Sequence, residues 1–526
     1  MSPATLGSSV FPSNRNIYVP YGTVETYQGA SGWSSYSSKI SAIENSYLFS
    51  SAGNWADGNF TSAGGTDAPN TANAKVFIDA NCTIPENYGD VTIGTLVVSA
   101  GKALTVNSGN RLVVTKVDNA GDDSRLVIKD GAQLICENPV LATIQKSITA
   151  AATKDGEGWY TISSPVNTAS ITGNTNLITG TYDLYRYNED THMWENYKYA
   201  ANNNFDNVLE NGRGYLYRNA ENLTVSYAGE VNAGNVDYVV TNNGGTLAGF
   251  NLVGNPYSHN IYKGEGTALP NSKSEDYELA TGFYTLTNEG AWTAGTDNTT
   301  AIKPGQGFLV QATTAGTITF TNNDDDGVAK TNTDNIMFAV SNSRYEDVAY
   351  ALFANAHGLS KIDHRNANIP MLYIEQDGRD YAIATMSDDV QSFNLKFKAM
   401  TMGKYTLTFN PQGNYSYLHL IDKLTGADVD MLVENEYSFI ASLQDSEARF
   451  IVRLSYNDAD NETFAYQSGS DVIVNGNGTL QVFDVTGRLV LTTIVSGMQA
   501  VSVKLQGVYI LRLIGNTVKT QKIIVK

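Results

Sequence analysis

The strongest constraint on this chain's fold is an apolar–polar alternation with a period of two. Phe393, Leu395 and Phe397 are separated by Asn394, Lys396 and Lys398, and the triplets Tyr405, Leu407, Phe409 and Phe450, Val452, Leu454 repeat the pattern. Successive side chains of an extended strand point to opposite faces. The pattern therefore predicts antiparallel strands with one face on a core and one in water. Turn residues punctuate the strands at Asp377-Gly378, Pro411-Gln-Gly413 and Thr425-Gly426. No long stretch carries apolar residues at helical spacing, and no run of about 18 apolar residues offers a membrane-spanning helix. With 47 Gly, 31 Tyr and only 17% charged residues, the composition suits strands joined by many turns. The predicted class is all-β.

A chain of 526 residues should hold several domains at roughly 100–150 residues each. Residues 1–50, rich in Ser, Tyr and Gly, read as an N-terminal segment or linker. Residues 51–150 carry short apolar runs between Gly, Asn and Asp turns, and Gly101-Lys-Ala-Leu-Thr-Val recurs 30 residues on (131 − 101) as Gly131-Ala-Gln-Leu-Ile-Cys. A short β-solenoid of roughly 20–25 residues per coil fits this spacing, with a strand meander as the alternative. Residues 151–328 read as an internally duplicated β-sandwich unit. Gly158-Trp-Tyr-Thr-Ile-Ser-Ser-Pro165 matches Gly249-Phe-Asn-Leu-Val-Gly-Asn-Pro256, and Gly212-Arg-Gly-Tyr-Leu-Tyr matches Gly305-Gln-Gly-Phe-Leu-Val. Tyr187-Asn-Glu with Trp194 is echoed in the same order by Thr287-Asn-Glu with Trp292. The Gly-x-Gly before each aromatic strand predicts a turn or bulge at the strand's start. The polar run 322–334 reads as a linker, residues 333–457 as a further β-sandwich, and residues 465–526 as a small immunoglobulin-like β domain.

The net charge of −19 argues against nucleic acid or an anionic membrane as partner. Residues 465–526 reverse the sign, with six basic residues against two acidic ones for a net of +4, which supports a separate C-terminal module. The two cysteines, Cys82 and Cys136, leave one bridge or two buried free thiols open. The start, Met-Ser-Pro-Ala-Thr-Leu-Gly, has neither a basic nor an apolar leader region, so it is not a secretory signal. It reads as a truncated or partial sequence.

Catalytic patterns are not found. His192, His259, His357, His364 and His419 lack metal-ligand spacing, and each reads as an isolated polar or core residue. There is no Cys-x-x-Cys, no Gly-x-Ser-x-Gly and no phosphate-cradling loop, and Gly476-Asn-Gly478 is a turn. Asp324-Asp-Asp-Gly327 has oxygen ligands for Ca²⁺ but not a calcium loop's spacing, so it reads as solvated linker. No catalytic, cofactor-binding or metal-ligating residue is assigned, no cofactor is expected, and the chain is not expected to be an enzyme. Tyr182, Tyr185, Tyr187, Trp194, Tyr197 and Tyr199 are mostly core candidates. A flat exposed row among them would instead stack on sugar rings.

The tail carries the functional signal. It reads Asp484-Val-Thr-Gly487-Arg488, then Gly507-Val-Tyr509, then Lys522-Ile523-Ile-Val-Lys526 at the C-terminus. In order, spacing and position this set resembles the type A C-terminal sorting domain of cargo proteins of the Bacteroidetes type IX secretion system. The resemblance implies a turn at Gly487 framed by Asp484 and Arg488. It also implies a tight strand start at Gly507 with Tyr509, and a final edge strand holding Lys522 and Ile523 and ending at Lys526. It implies the type IX secretion machinery as partner, and an extracellular or outer-membrane-surface location. Family members normally carry an N-terminal signal, from which this chain departs. The stretch Gly403–Gly426 is similar to a β-sandwich that often precedes such a domain. The expected function is that of an exported structural or adhesive surface protein, with a carbohydrate-binding module as the alternative. Glycans and host surface proteins are the two ligand classes left open.

Overall fold

The computed structural model describes residues 3–525 apart from 7–9, 13, 151–155, 174, 246, 265–268, 270–277, 324–333, 457–463, 469–470, 504–505 and 516–517. The protein is all-β, with 52% of residues in strands and 4% in helices. It divides into two compact units, 1–331 with 356–369, and 332–355 with 370–526.

In the first unit, residues 46–148 alternate between two parallel sheets. Ser46–Phe49, Thr71–Ile78, Asp90–Val98, Arg111–Asp118 and Gln133–Cys136 form one. Gly53–Asn54, Cys82–Ile84, Leu104–Val106, Leu126–Ile128 and Leu141–Ile148 form the other. Each strand is in register with the next of its own sheet, as in Leu104 with Leu126 and Leu112 with Leu134. Alternate residues (Leu104, Val106, Leu112, Val114, Leu126, Ile128, Leu134) point inward and are buried. Asparagines tie neighbouring levels at the same interval. Thr92 N donates to Asn70 Oδ1 and Ala103 N to Asn81 Oδ1, and Asn119 Nδ2 donates to Leu141 O, each across 22 residues. The 30-residue recurrence has another origin. Gly101 and Gly131 both turn at positive φ, but they introduce strands of different sheets. Cys82 and Cys136 are free and buried, and burial pushes both thiols up to about 12.

Parallel sheets leave unpaired edges that need cover. Here the following residues supply it. Leu141–Ile148 pairs antiparallel with Leu223–Glu230. Beside the other sheet's last strand, Leu134 N donates to Ser258 O (2.8 Å) and Ser258 Oγ to Leu134 O (2.7 Å).

Residues 160–219 and 250–314 each form a sheet, and the strand orders correspond. The first runs Tyr160–Ile162, Tyr215–Asn219, Tyr182–Asn188, Met193–Asn196; the second runs Phe250–Gly254, Gly307–Thr314, Phe283–Leu286, Trp292–Gly295. Registers correspond too. Ile162 faces Tyr215 as Val253 faces Phe308, and Tyr185 faces Leu216 as Tyr284 faces Leu309. The sheets are joined reciprocally. Ser163 N donates to Gly305 O (3.1 Å), and Gly254 N donates to Gly212 O (2.9 Å). The two glycines of each Gly-x-Gly therefore differ in purpose. Gly212 and Gly305 adopt positive φ (76° and 68°), while Gly214 lets the other sheet's backbone approach, since a Cβ there would lie 2.4 Å from Val253 O.

In the second unit one large sheet runs in the order Asp428–Asp430, Tyr415–Asp422, Phe450–Tyr456, Ser392–Lys398, Met371–Gln376, Arg379–Met386, Glu346–Phe353, Asn335–Ser341, Gly403–Gln412, Glu436–Ala441. Phe393, Leu395, Phe397, Tyr405, Leu407, Phe409, Phe450, Val452 and Leu454 all enter one core. Asp377 and Gly378 both take positive φ in the tight hairpin expected of that pair. Pro411 is not a turn residue. It lies within a strand that runs to Gln412, where only the Asn335–Ser341 neighbour pairs with it. The sheet is nearly closed. Asp422, near one end of the strand order, meets Glu436–Ala441 from the other. Arg449 bonds the Asp422 carboxylate through both Nε (2.9 Å) and Nη2 (2.7 Å) and also donates to Ile440 O, while Tyr437 donates to Asp422 Oδ2.

Strands Ala465–Ser468 to Val518–Val525 form a three-stranded and a four-stranded sheet around a separate core that includes Val472, Leu480, Val482, Leu511 and Val525.

Candidate functional site

The tail residues fall into two groups. Asp484, Gly487 and Arg488 build one turn. The Asp484 carboxylate accepts from the backbone N–H groups of Thr486 (3.0 Å) and Arg488 (3.1 Å) and from Arg488 Nε (3.0 Å). Gly487, at φ 82°, donates its N–H to Asp484 O. The hydrogen bond from the Thr486 side chain comes first among the forces that hold this carboxyl down at about 2. The Asp-x-Thr-Gly-Arg spelling is thus a self-contained hairpin turn: an acceptor, its local donors, and a glycine for the left-handed position. Gly507 and Tyr509 lie in the strand Gly507–Ile514 that neighbours Gly478–Asp484 in the sheet, and Tyr509 pairs with both Asp484 and Ile523. Tyr509 and Ile523 are buried, whereas Lys522 faces solvent. Lys526 lies outside the described residues. Ile514 pairs with Val518 at the start of the last strand.

The aromatic cluster is not a flat exposed row. Tyr187 is buried against Trp194 (5.1 Å), Tyr197 packs edge-on to Phe205, and Lys198 lies over Tyr182. Only Tyr199 of the six is largely exposed.

A concave site that sequence reasoning did not single out lies at one end of the second unit's sheet. It is a cleft of about 710 Å³. Phe353 and Tyr456 form its apolar part, ring against ring edge-on at 5.4 Å, with Tyr415 packed 5.0 Å from Tyr456. Asp334, Asp388, Asp389 and Asn414 supply polar groups. Each comes from a strand end or turn: Asp334 precedes Asn335–Ser341, Asp388 and Asp389 sit before Ser392–Lys398, and Asn414 joins Gly403–Gln412 to Tyr415–Asp422. Burial pushes the Tyr415 and Tyr456 hydroxyls upward, so they remain neutral donors. The aromatic rings pack largely on one another, with Phe353 and Tyr415 each 6% exposed, so the carboxylate and amide groups make up the accessible part of the cleft. The only local hint is Ser387-Asp-Asp, and nothing in it announces a partner such as Tyr456, 67 residues away (456 − 389).

The histidines are dispersed. His357 pairs with Glu278 (3.1 Å), His364 Nδ1 accepts from Trp292 N, His259 stacks on Tyr257, and His419 stacks on Tyr417 beside Asp428. Among the described residues no three of His, Cys, Asp and Glu gather as metal ligands. Asp324–Gly327, the weighed calcium run, lies outside those residues. Nor is any helix of the described residues long and apolar enough to cross a membrane.

With the class defined as all-β, comparison adds one match. Residues 49–265 match the family model described as Domain of unknown function (DUF8693). That stretch takes in the two parallel sheets apart from most of the strand Ser46–Phe49, the first of the corresponding sheets and the opening strand of the second. No curated protein and no solved structure matches the chain.

Proposed function

We propose that this chain is an exported, non-enzymatic surface protein. In this reading a short β-solenoid, a sandwich built from two copies of one β unit and a second sandwich form a structural or adhesive body. A C-terminal immunoglobulin-like domain over residues 465–526 carries the type IX secretion address. The observation that carries the reading is the self-contained tail. Its core is distinct from that of the large sheet, and Asp484, Gly487 and Arg488 form an exposed turn available to a receptor. The test deletes residues 465–526 from a chain given a signal peptide, in a host with type IX secretion. Retention in the periplasm is expected, and equal surface display of both forms would overturn the sorting role.

The cleft at Phe353 and Tyr456 favours a second reading, glycan binding by the second unit. Tyr456→Ala in the full chain should then lose most binding to any glycan that the parent captures on a glycan array. A parent that captures none would remove this reading and leave the first intact.

A further inference from the structure

Lys263 and Asp297 meet inside the first unit in a geometry suited to reaction. Their backbones are held side by side: Asn298 N donates to Lys263 O (2.8 Å), and Ile261 and Ile302 exchange both of their hydrogen bonds. The Lys263 side chain is fully buried and that of Asp297 is 12% exposed. Nζ lies 3.0 Å from Oδ1 and 3.3 Å from Oδ2, in contact with both carboxyl oxygens. Two backbone groups fix the encounter. Ala280 O accepts from Nζ at 2.8 Å, and Gly282 N–H donates to Oδ1 at 3.0 Å.

Burial acts on both partners in the direction that chemistry needs. It lowers the Lys263 ammonium and raises the Asp297 carboxyl, while the charge of each partner opposes the shift of the other. A neutral amine is a nucleophile, and a protonated carboxyl can lose its hydroxyl as water. A buried ion pair, by contrast, keeps a desolvation cost that a neutral amide does not carry.

We propose that Lys263 and Asp297 become joined by an intramolecular isopeptide bond after folding. A proton passes from the ammonium to Oδ2. The freed Nζ lone pair attacks Cγ, and the Gly282 N–H steadies the negative charge that builds on Oδ1. The Cγ–Oδ2 bond then breaks, a second proton leaves nitrogen for the departing oxygen, and one water is released. One C–N bond forms and one C–O bond is lost, with no oxidant, reductant or co-reactant. Proximity supplies the rate, because the two groups are already in hydrogen-bond contact. The product would close the chain from 263 to 297 around the strands Phe283–Leu286 and Trp292–Gly295, so that tension along the chain bypasses them.

The test is the intact mass of the purified full chain, with peptide mapping under denaturing conditions. The expected result is a mass one water below the sequence mass, and a branched peptide joining Lys263 to Asp297. K263M and D297A should each return to the full sequence mass. The parent measurement decides the matter even where a variant fails to fold. A parent at the full sequence mass would overturn the proposal, as would a water loss that mapping confines to a single linear peptide.

Discussion

At the scale of single residues, the Arg449–Asp422 pair has the largest consequence for the second unit. Both side chains are almost fully buried, and the guanidinium lies over Phe439 at 4.5 Å. Burial alone would raise the Asp422 carboxyl. Hydrogen bonds from Arg449, Leu424 N and Tyr437 outweigh it and hold the group at about 2. Removing one partner strands a buried charge, so Arg449→Ala should cost about 3–5 kcal/mol in unfolding free energy. A value depressed in the folded state gives stability that is complete above the unfolded carboxyl value of about 4. That stability is lost as pH falls through about 2. Acid titration of parent and Asp422→Asn should therefore diverge above this window and converge below it; parallel curves would refute the assignment. Gly214 gives a second test. Its missing Cβ admits Val253 O, so Gly214→Ala should destabilise by about 2 kcal/mol or more. Gly234→Ala, with nothing within 4 Å, should stay within about 0.5 kcal/mol of the parent in the same denaturant titration.

At the scale of elements, the parallel sheets depend on asparagine as well as on apolar stacking. Asn110 is 2% exposed; its Oδ1 accepts from Gly89 N, and its Nδ2 donates to Pro85 O and Asn107 O. Asn110→Ala removes these three part-buried hydrogen bonds, at about 0.5–1.5 kcal/mol each before relaxation. The midpoint of the first unit's unfolding should drop accordingly, and an unchanged midpoint would mean that water replaces the amide. The alternating strands of residues 393–454 were legible because one apolar face repeats every second residue. The 22-residue step was not. Its coils share only short apolar runs and scattered asparagines, and the most visible recurrence linked turns of two different sheets.

At the scale of the molecule, the tail and the large sheet have separate cores, yet they are tied by Tyr417 against Tyr466 (4.4 Å) and by Arg453 to Ser468 (2.7 Å). A chain ending at Tyr456 should keep the large sheet folded and lose a separate, lower unfolding transition; calorimetry that shows the whole unit melting with the deletion would contradict this. The cleft belongs to this scale as well. Its aromatic, acidic and amide groups come from five strand ends or turns, which no local reading could bring together.

The amino-acid order alone determined the all-β class, the correspondence of residues 158–165 with 249–256, and the turn that Asp484, Gly487 and Arg488 form. These follow from local rules: side-chain alternation, glycine at left-handed positions, and an acceptor placed beside its own donors. Tertiary structure alone decided which sheet each strand joined, that Gly214 faces Val253, that Arg449 meets Asp422, and that Lys263 lies against Asp297. Those pairings join residues far apart in the chain, and their energies depend on burial, which a linear pattern does not encode.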